Sequence, residues 1–293
     1  MMAVNSFMPL KTERQMLSVE QPTERLLPSP PQELFEIEAS KTTVIVTQKG
    51  SRLTFPAFGW HTPEGRSING LVQLTITELS SPAEIIAAGL GTTTQDRLLE
   101  MPVMLHIEAF SAKVGLNTVL PIEWELPVES YKGMNMLSQQ LFHAASPSLC
   151  VYGSSPVYDW QLAKAPKSVF RTLYRKQHLL FQLSAAGWWG IGTPVKCRKN
   201  RKMVSLKTTG QIPALTEQKA FIVFELHNSI IRMHEGAHHF TSFHVPGCHK
   251  ATVVSFGITD NELYGGKAEL DPKACITHLN MKAVHYEELS RQL

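Results

Sequence analysis

Residues 71–79, LVQLTITEL, decide how the chain reads. Successive side chains of a strand point to opposite faces, so Leu71, Gln73, Thr75 and Thr77 share one side and Val72, Leu74 and Ile76 the other. An apolar face backed by a polar one is what an antiparallel sheet shows when it packs on a core through one side. Similar segments recur in both directions. Upstream lie TTVIVTQ (42–48) and RLTFPAF (52–58), rich in β-branched and aromatic residues, then the turn-rich HTPEGRSING (61–70). Downstream follow VMLHIEAF (103–110), TVLPIEWEL (118–126), LSQQLFHA (137–144) and SLCVYG (148–153). LFQLSAAGWWGIG (180–192) reads as a strand entering a Gly-rich bend. VSLKTT, AFIVFEL, SIIRMH, HHFTSFHV and KATVVSFGI continue the series, bounded by Pro213, Asn228, Gly236, Pro246 and Gly247. Many short strands between Gly and Pro turns predict sandwich architecture.

Helical signals are few. SPAEIIAAGL (81–90) predicts one short helix, with Ser81 as N-cap, Pro82 in the first position and Gly89 ending it. KSVFRTLYRKQHLL (167–180) places Val169, Leu173 and Leu180 near helical spacing, and VHYEELSRQL (284–293) has room for a turn or two. The N-terminal stretch is polar and closes on Pro28, Pro30 and Pro31. Proline removes a donor and pushes its predecessor toward extended geometry, so this stretch reads as an arm able to order on a partner. The expected organisation is mainly β. It runs as an extended arm over 1–36, an antiparallel β-sandwich domain over 37–165, a linker helix over 166–180, and a second β-sandwich domain over 181–293 with a short C-terminal helix.

A chain of 293 residues has room for two domains and a substantial core. Charged residues make up only 18%, below the roughly 25% usual for soluble domains, which favours neutral contact surface. The net charge of +3 is too small to steer the whole chain to nucleic acid or membrane. No apolar run approaches the roughly 18 residues of a spanning helix, and Lys11, Glu13 and Arg14 interrupt any signal-peptide core. The expected location is the cytoplasm, or a particle assembled there, with envelope or extracellular placement as the alternative. Cys150, Cys197, Cys248 and Cys275 form no CxxC pair and read mostly as reduced core residues, since a chain this long needs no staple.

The order of segments resembles a family of bacterial β-sandwich proteins of the ZU5 type. The resemblance is carried by GSRLTFPAF (50–58), GRSINGLVQLTITEL (65–79), EIIAAGLGTTT (84–94) and LLEMPVMLHIEAF (98–110). Later come Ala186-Gly187-Trp188, FHVPGCHKATVVSF (243–256) and a final turn at Leu263-Tyr264-Gly265. Where that family follows Gly-Trp with Asn, Cys and Asp, this chain has Trp189, Gly190, Ile191 and Gly192. The resemblance implies an envelope- or assembly-associated binding module with no established enzymatic activity.

Chemical constellations are sparse. His234, His238, His239, His244, Cys248 and His249 crowd together. A zinc or copper site needs three or four ligands converging at about 2.0–2.3 Å, and strand alternation separates His238 from His239. His244, Cys248 and His249 flank the Pro246-Gly247 turn and are the set best placed to meet. Solvated polar positions are the favoured reading, so no metal and no cofactor is expected. A His239-Phe240-Thr241 step offers a hydroxyl that would be nucleophilic if activated, but it lies away from the first-domain match. The run Lys196, Cys197, Arg198, Lys199, Asn200, Arg201, Lys202 is strongly basic. A solvated hairpin loop is its favoured reading; as a contact it suits phosphates or an acidic protein patch, and no nucleic-acid-reading fold accompanies it. Trp188 and Trp189 are adjacent on a strand, so only one enters its own core and the other suits a contact, where tryptophan is enriched. Paired carboxylates at catalytic spacing, GxSxG, HExxH and phosphate-loop motifs do not occur.

The expectation is therefore a non-enzymatic structural or adaptor protein. Its binding residues would be Trp188, Trp189, Lys196, Arg198, Lys199, Arg201 and Lys202. Its partners would be other protein subunits, itself included, in a phage-tail-like or envelope assembly. The alternatives are an envelope module for carbohydrate or peptide using a Trp platform, and a metal-binding protein built on residues 234–249.

Overall fold

The structure, a computed structural model, describes residues 30–94, 97–127, 138–144, 159–164, 169–173, 176–197, 202–210, 213–215, 217–226, 228–236, 239–259, 262–271 and 274–291. In chain order the elements begin with strands β1 Gln32–Glu38, β2 Thr43–Val46, β3 Arg52–Phe55, β4 Trp60–His61 and β5 Leu71–Leu79, then helix α1 Pro82–Ala87. Next are β6 Leu99–Ser111, β7 Val114–Gly115, β8 Asn117–Thr118, β9 Ile122–Pro127, β10 Gln140–Ala144 and β11 Trp160–Leu162. The chain continues through β12 Val169–Leu173, β13 Lys176–Leu183, β14 Gly187–Pro194, β15 Lys202–Thr209, β16 Glu217–Phe224 and β17 Ile230–Arg232. It finishes with β18 His234–Glu235, β19 Phe240–Val245, β20 Ala251–Ile258, β21 Leu263–Glu269, β22 Ile276–Asn280, β23 Lys282–Ala283 and helix α2 Tyr286–Ser290.

The protein is mainly β, and its strands form several open sheets. Sheet I runs β1-β5-β6-β14-β10-β11 with β7 added against β6, and sheet II runs β12-β13-β9-β3-β2. Sheet III runs β17-β16-β20-β21-β23, sheet IV runs β18-β19-β15-β22, and β4 pairs with β8 alone. Neighbours are antiparallel except β15 beside β22.

Strand alternation distributes the apolar side chains among three fillings. Val72, Leu74 and Ile76 of β5 join Leu105 and Ile107 of β6 against Leu53, Phe55, Trp124 and Phe181 of sheet II. From the other face of sheet I, Leu79, Leu99, Met101 and Met104 meet Ile85 and Ile86 of α1, and Phe221, Val254 and Phe256 of sheet III. The opposite face of sheet III sends Ala220, Ile222 and Val253 toward Val204, Leu206 and Leu279 of sheet IV. The central strands of sheets I and III are thus covered on both faces. That explains why β6 and β20 are near-continuous apolar runs, whereas β5 alternates cleanly where its outer face meets solvent.

The helix at 81–90 forms as the sequence predicts. Ser81 and Glu84 make a reciprocal capping box, Pro82 occupies the first turn, and Gly89 takes φ +69° just past the end. The C-terminal helix is present as α2. Other expectations are corrected. The linker helix expected over 166–180 is strand: β12 and β13 form a hairpin, and β13 pairs onto β9. Val169, Phe170 and Thr172 have the branched and aromatic shapes that a pleated sheet accepts, and Leu179, Phe181 and Leu183 alternate into the first filling. The expected Gly-rich bend is the full strand β14 in the middle of sheet I, so residues 181–194 fold with the N-terminal half. Residues 32–36, expected in the arm, form most of edge strand β1 on β5. The expected Tyr264-Gly265 turn is part of β21. The arm as far as residue 29 and the SLCVYG segment lie outside the described residues.

Candidate functional site

Strand β14 places the two tryptophans on opposite faces of sheet I. Trp189 is only 3% exposed, its ring in the first filling, and its indole N–H donates to the Ala185 carbonyl at 2.9 Å. Trp188 packs at the edge of the second filling, between the two halves of the chain. Its ring stacks on His106 of β6, with centroids 4.4 Å apart, because the register sets Trp188 directly opposite His106. Burial holds the His106 imidazole below its ordinary pKa, with Glu108 pulling weakly the other way. Burial there favours the neutral ring. Trp189 is buried in its own core, whereas Trp188 is only partly buried and packs against the filling shared with the other half.

The basic run begins where β14 ends. Lys196 is exposed. Arg198, Lys199 and Arg201 lie outside the described residues, and of Lys202 only the backbone, opening β15, is described. Cys197, expected to be reduced, is bonded to Cys248 in the turn between β19 and β20, with a Cα–Cα distance of 6.0 Å. The bond fixes the start of the basic run against Pro246-Gly247. No spacing rule pairs cysteines 51 residues apart; the pairing arises because Lys202 is registered opposite Val245. Cys275 is a free, exposed thiol, and Cys150 lies outside the described residues.

The same bond changes the histidine cluster. Cys248 holds a disulfide sulfur and not a metal-binding thiolate, His249 sits beside it, and the side chain of His244 is outside the described set. His234 is on the outer strand β18, registered with Thr241, and His239 stands exposed before β19. Among the described residues no group of three or more His, Cys, Asp or Glu side chains gathers for a metal ion. The Phe240 of the His239-Phe240-Thr241 step is buried in the third filling and Thr241 runs in the ladder of β19.

Two features escaped the sequence reading. The first is Glu78, 3% exposed on β5. It accepts from Thr47 Oγ1 at 2.6 Å and from Ser51 Oγ at 2.9 Å, while the Trp124 indole N–H donates to Ser51 Oγ at 3.0 Å. Burial lifts its carboxyl above the usual range; the two hydroxyls and Lys49 oppose that, and Glu33 adds to it. The group is enclosed, so it serves the join between sheets I and II. The second is the outer face of sheet IV. Met203, Phe243 and Ile276 are 50%, 55% and 46% exposed. They lie on the face opposite Val204, Leu206 and Leu279, on three adjacent strands. An apolar residue out of phase with its buried neighbours was the available signal, visible at Met203 beside VSLKTT and at Phe243 in HHFTSFHV.

No helix among the described residues is long and apolar enough to cross a membrane. No protein-family model, curated protein or solved structure matches the chain, so the functional reading rests on geometry.

Proposed function

We propose that the chain is a non-enzymatic structural or adaptor subunit that works through protein–protein contacts, with other subunits or further copies of itself as partners in a larger assembly. In this reading two β-sandwich units, sheets I with II and sheets III with IV, are joined through the middle filling. The observation that carries the reading is the apolar outer face of sheet IV. Met203, Phe243 and Ile276 lie on neighbouring strands where a solvated sheet face would carry polar residues. The basic run that starts at Lys196 directly precedes β15 in the sequence, and a charged segment of that kind suits the orienting of a partner. The ordered series of ZU5-like segments agrees with a binding module. Light scattering on the purified full chain over a range of concentrations tests the proposal. Self-association, or a complex with a co-purifying partner, that weakens in Phe243→Glu supports it. A strictly monomeric mass together with unchanged partner recovery in that variant overturns it.

A further inference from the structure

Asn69 and Gly70 end the turn-rich segment that leads into β5, and both are exposed. The Gly70 carbonyl accepts from the Ala39 amide at 2.9 Å, just past the last β1–β5 pair, Glu38 with Leu71. Among the described residues the Gly70 amide finds no backbone acceptor. A Cβ added at Gly70 would meet nothing within 4 Å, and its backbone is not left-handed. Gly70 is therefore not required by the fold, and the space around its Cα is open.

We infer that Asn69 is a site of spontaneous deamidation in the folded protein, ageing to a mixture of aspartate and isoaspartate. The Gly70 amide gives its proton to hydroxide and its nitrogen attacks the Asn69 carboxamide carbon. A C–N bond forms, the carboxamide C–N bond breaks as its nitrogen takes a proton from water, which regenerates the hydroxide, and ammonia leaves a succinimide ring. Water then opens the ring at either carbonyl: one opening yields aspartate, the other isoaspartate, whose main chain is one methylene longer. Glycine favours this route because it lacks the Cβ that would hinder ring closure.

The site is singular among the asparagines that the structure describes. Asn228 is buried, and its amide is held by the carbonyls of Ser80 and Pro102. Asn117 precedes a β-branched threonine and Asn280 a buried methionine. The consequence is local and directional. The extra methylene enters the main chain between the residue 69 Cα and the Gly70 amide, one residue before the carbonyl that accepts from Ala39, so that bond and the end of the β1–β5 ladder must shift, and a new negative charge arrives next to the end of β1. Edge strand β1 would loosen with age.

The test is peptide mapping by mass spectrometry on the folded full chain held at mildly alkaline pH and physiological temperature, with a urea-unfolded sample alongside. The expected result is that the peptide holding Asn69 gains one mass unit and splits into two isomers while Asn228 stays intact. Gly70→Ala, which the open space tolerates, should slow the change by putting a Cβ beside the attacking nitrogen, and the Ala39 amide of aged protein should exchange faster with solvent. Asn69 changing no faster than Asn228, changing only in the unfolded sample, or ageing equally in Gly70→Ala would each overturn the inference.

Discussion

The side-chain amide of Asn228 donates to the carbonyl oxygen of Ser80 at 3.0 Å across 148 residues of sequence. The same nitrogen reaches the Pro102 carbonyl at 3.2 Å. Asn228 stands between β16 and β17 with φ +48°, a region where asparagine is tolerated better than most residues. Its contacts join α1's entry and strand β6 to the second half of the chain. Thr92 with Ile230, and Arg232 with the Gly89 carbonyl, continue that seam.

Asn228→Ala removes both bonds, leaves two carbonyls without that donor and keeps an unfavourable backbone angle. Buried hydrogen bonds of this kind are worth about 1 kcal/mol each net, and more when a partner is orphaned. Urea denaturation should show a loss of about 2–3 kcal/mol. Asn228→Gly should recover part of it by relieving the backbone.

Breaking Cys197–Cys248 frees a loop of 51 residues. Loop-closure entropy assigns such a bond about 4 kcal/mol. Cys248→Ser should lower the melting temperature, and a reducing agent should lower that of the native chain while leaving the variant unchanged. Equal melting of the two proteins under oxidising conditions would show that the bond contributes nothing.

Glu78 sets a pH dependence. Its folded pKa is raised, chiefly by burial. The stability gained from its neutral form is therefore fully present below the ordinary carboxylate pKa and is lost as pH rises through the raised value. Glu78→Gln keeps a neutral acceptor for Ser51 and does not ionise. Denaturation midpoints should coincide at acid pH, and the variant should be the more stable at neutral and alkaline pH. A variant less stable at every pH would show that the carboxyl is held by its hydrogen bonds more than it is opposed by burial.

Gly192 lies at an irregularity in the pairing of β14 with β6, which shifts between Ile191 and Thr193. A Cβ there would sit 2.8 Å from the Glu100 carbonyl oxygen and 2.9 Å from Met101 Cγ. Backbone cannot swing aside as a side-chain end can, so Gly192→Ala should cost about 1–3 kcal/mol, read as a lower urea midpoint with an unchanged slope.

Much of the strand pattern was legible because alternation is a local property. LVQLTITEL is β5 residue for residue, and the Ser81 cap places α1. The hairpin β12–β13 was not legible as such: Val169, Leu173 and Leu180 match a helical period, and only the ladder of β9 beside β13 selects the extended form. The tryptophan pair was half legible. Adjacent strand residues must part to opposite faces, as Trp188 and Trp189 do, but which one meets the other half depends on the side of sheet I that sheet III covers.

What the sequence alone determined is the local grammar: the mainly β class, the one capped helix in the first half, and the opposite facing of neighbouring side chains. Only the tertiary structure decided which strands share a sheet, that β14 returns to the N-terminal half, that Cys197 meets Cys248, and that Glu78 is enclosed. The physical reason is range. Alternation and capping act over a few residues, whereas sheet order, disulfide pairing and burial of a carboxyl depend on surfaces brought together from distant parts of the chain, as the reach of Asn228 to Ser80 shows.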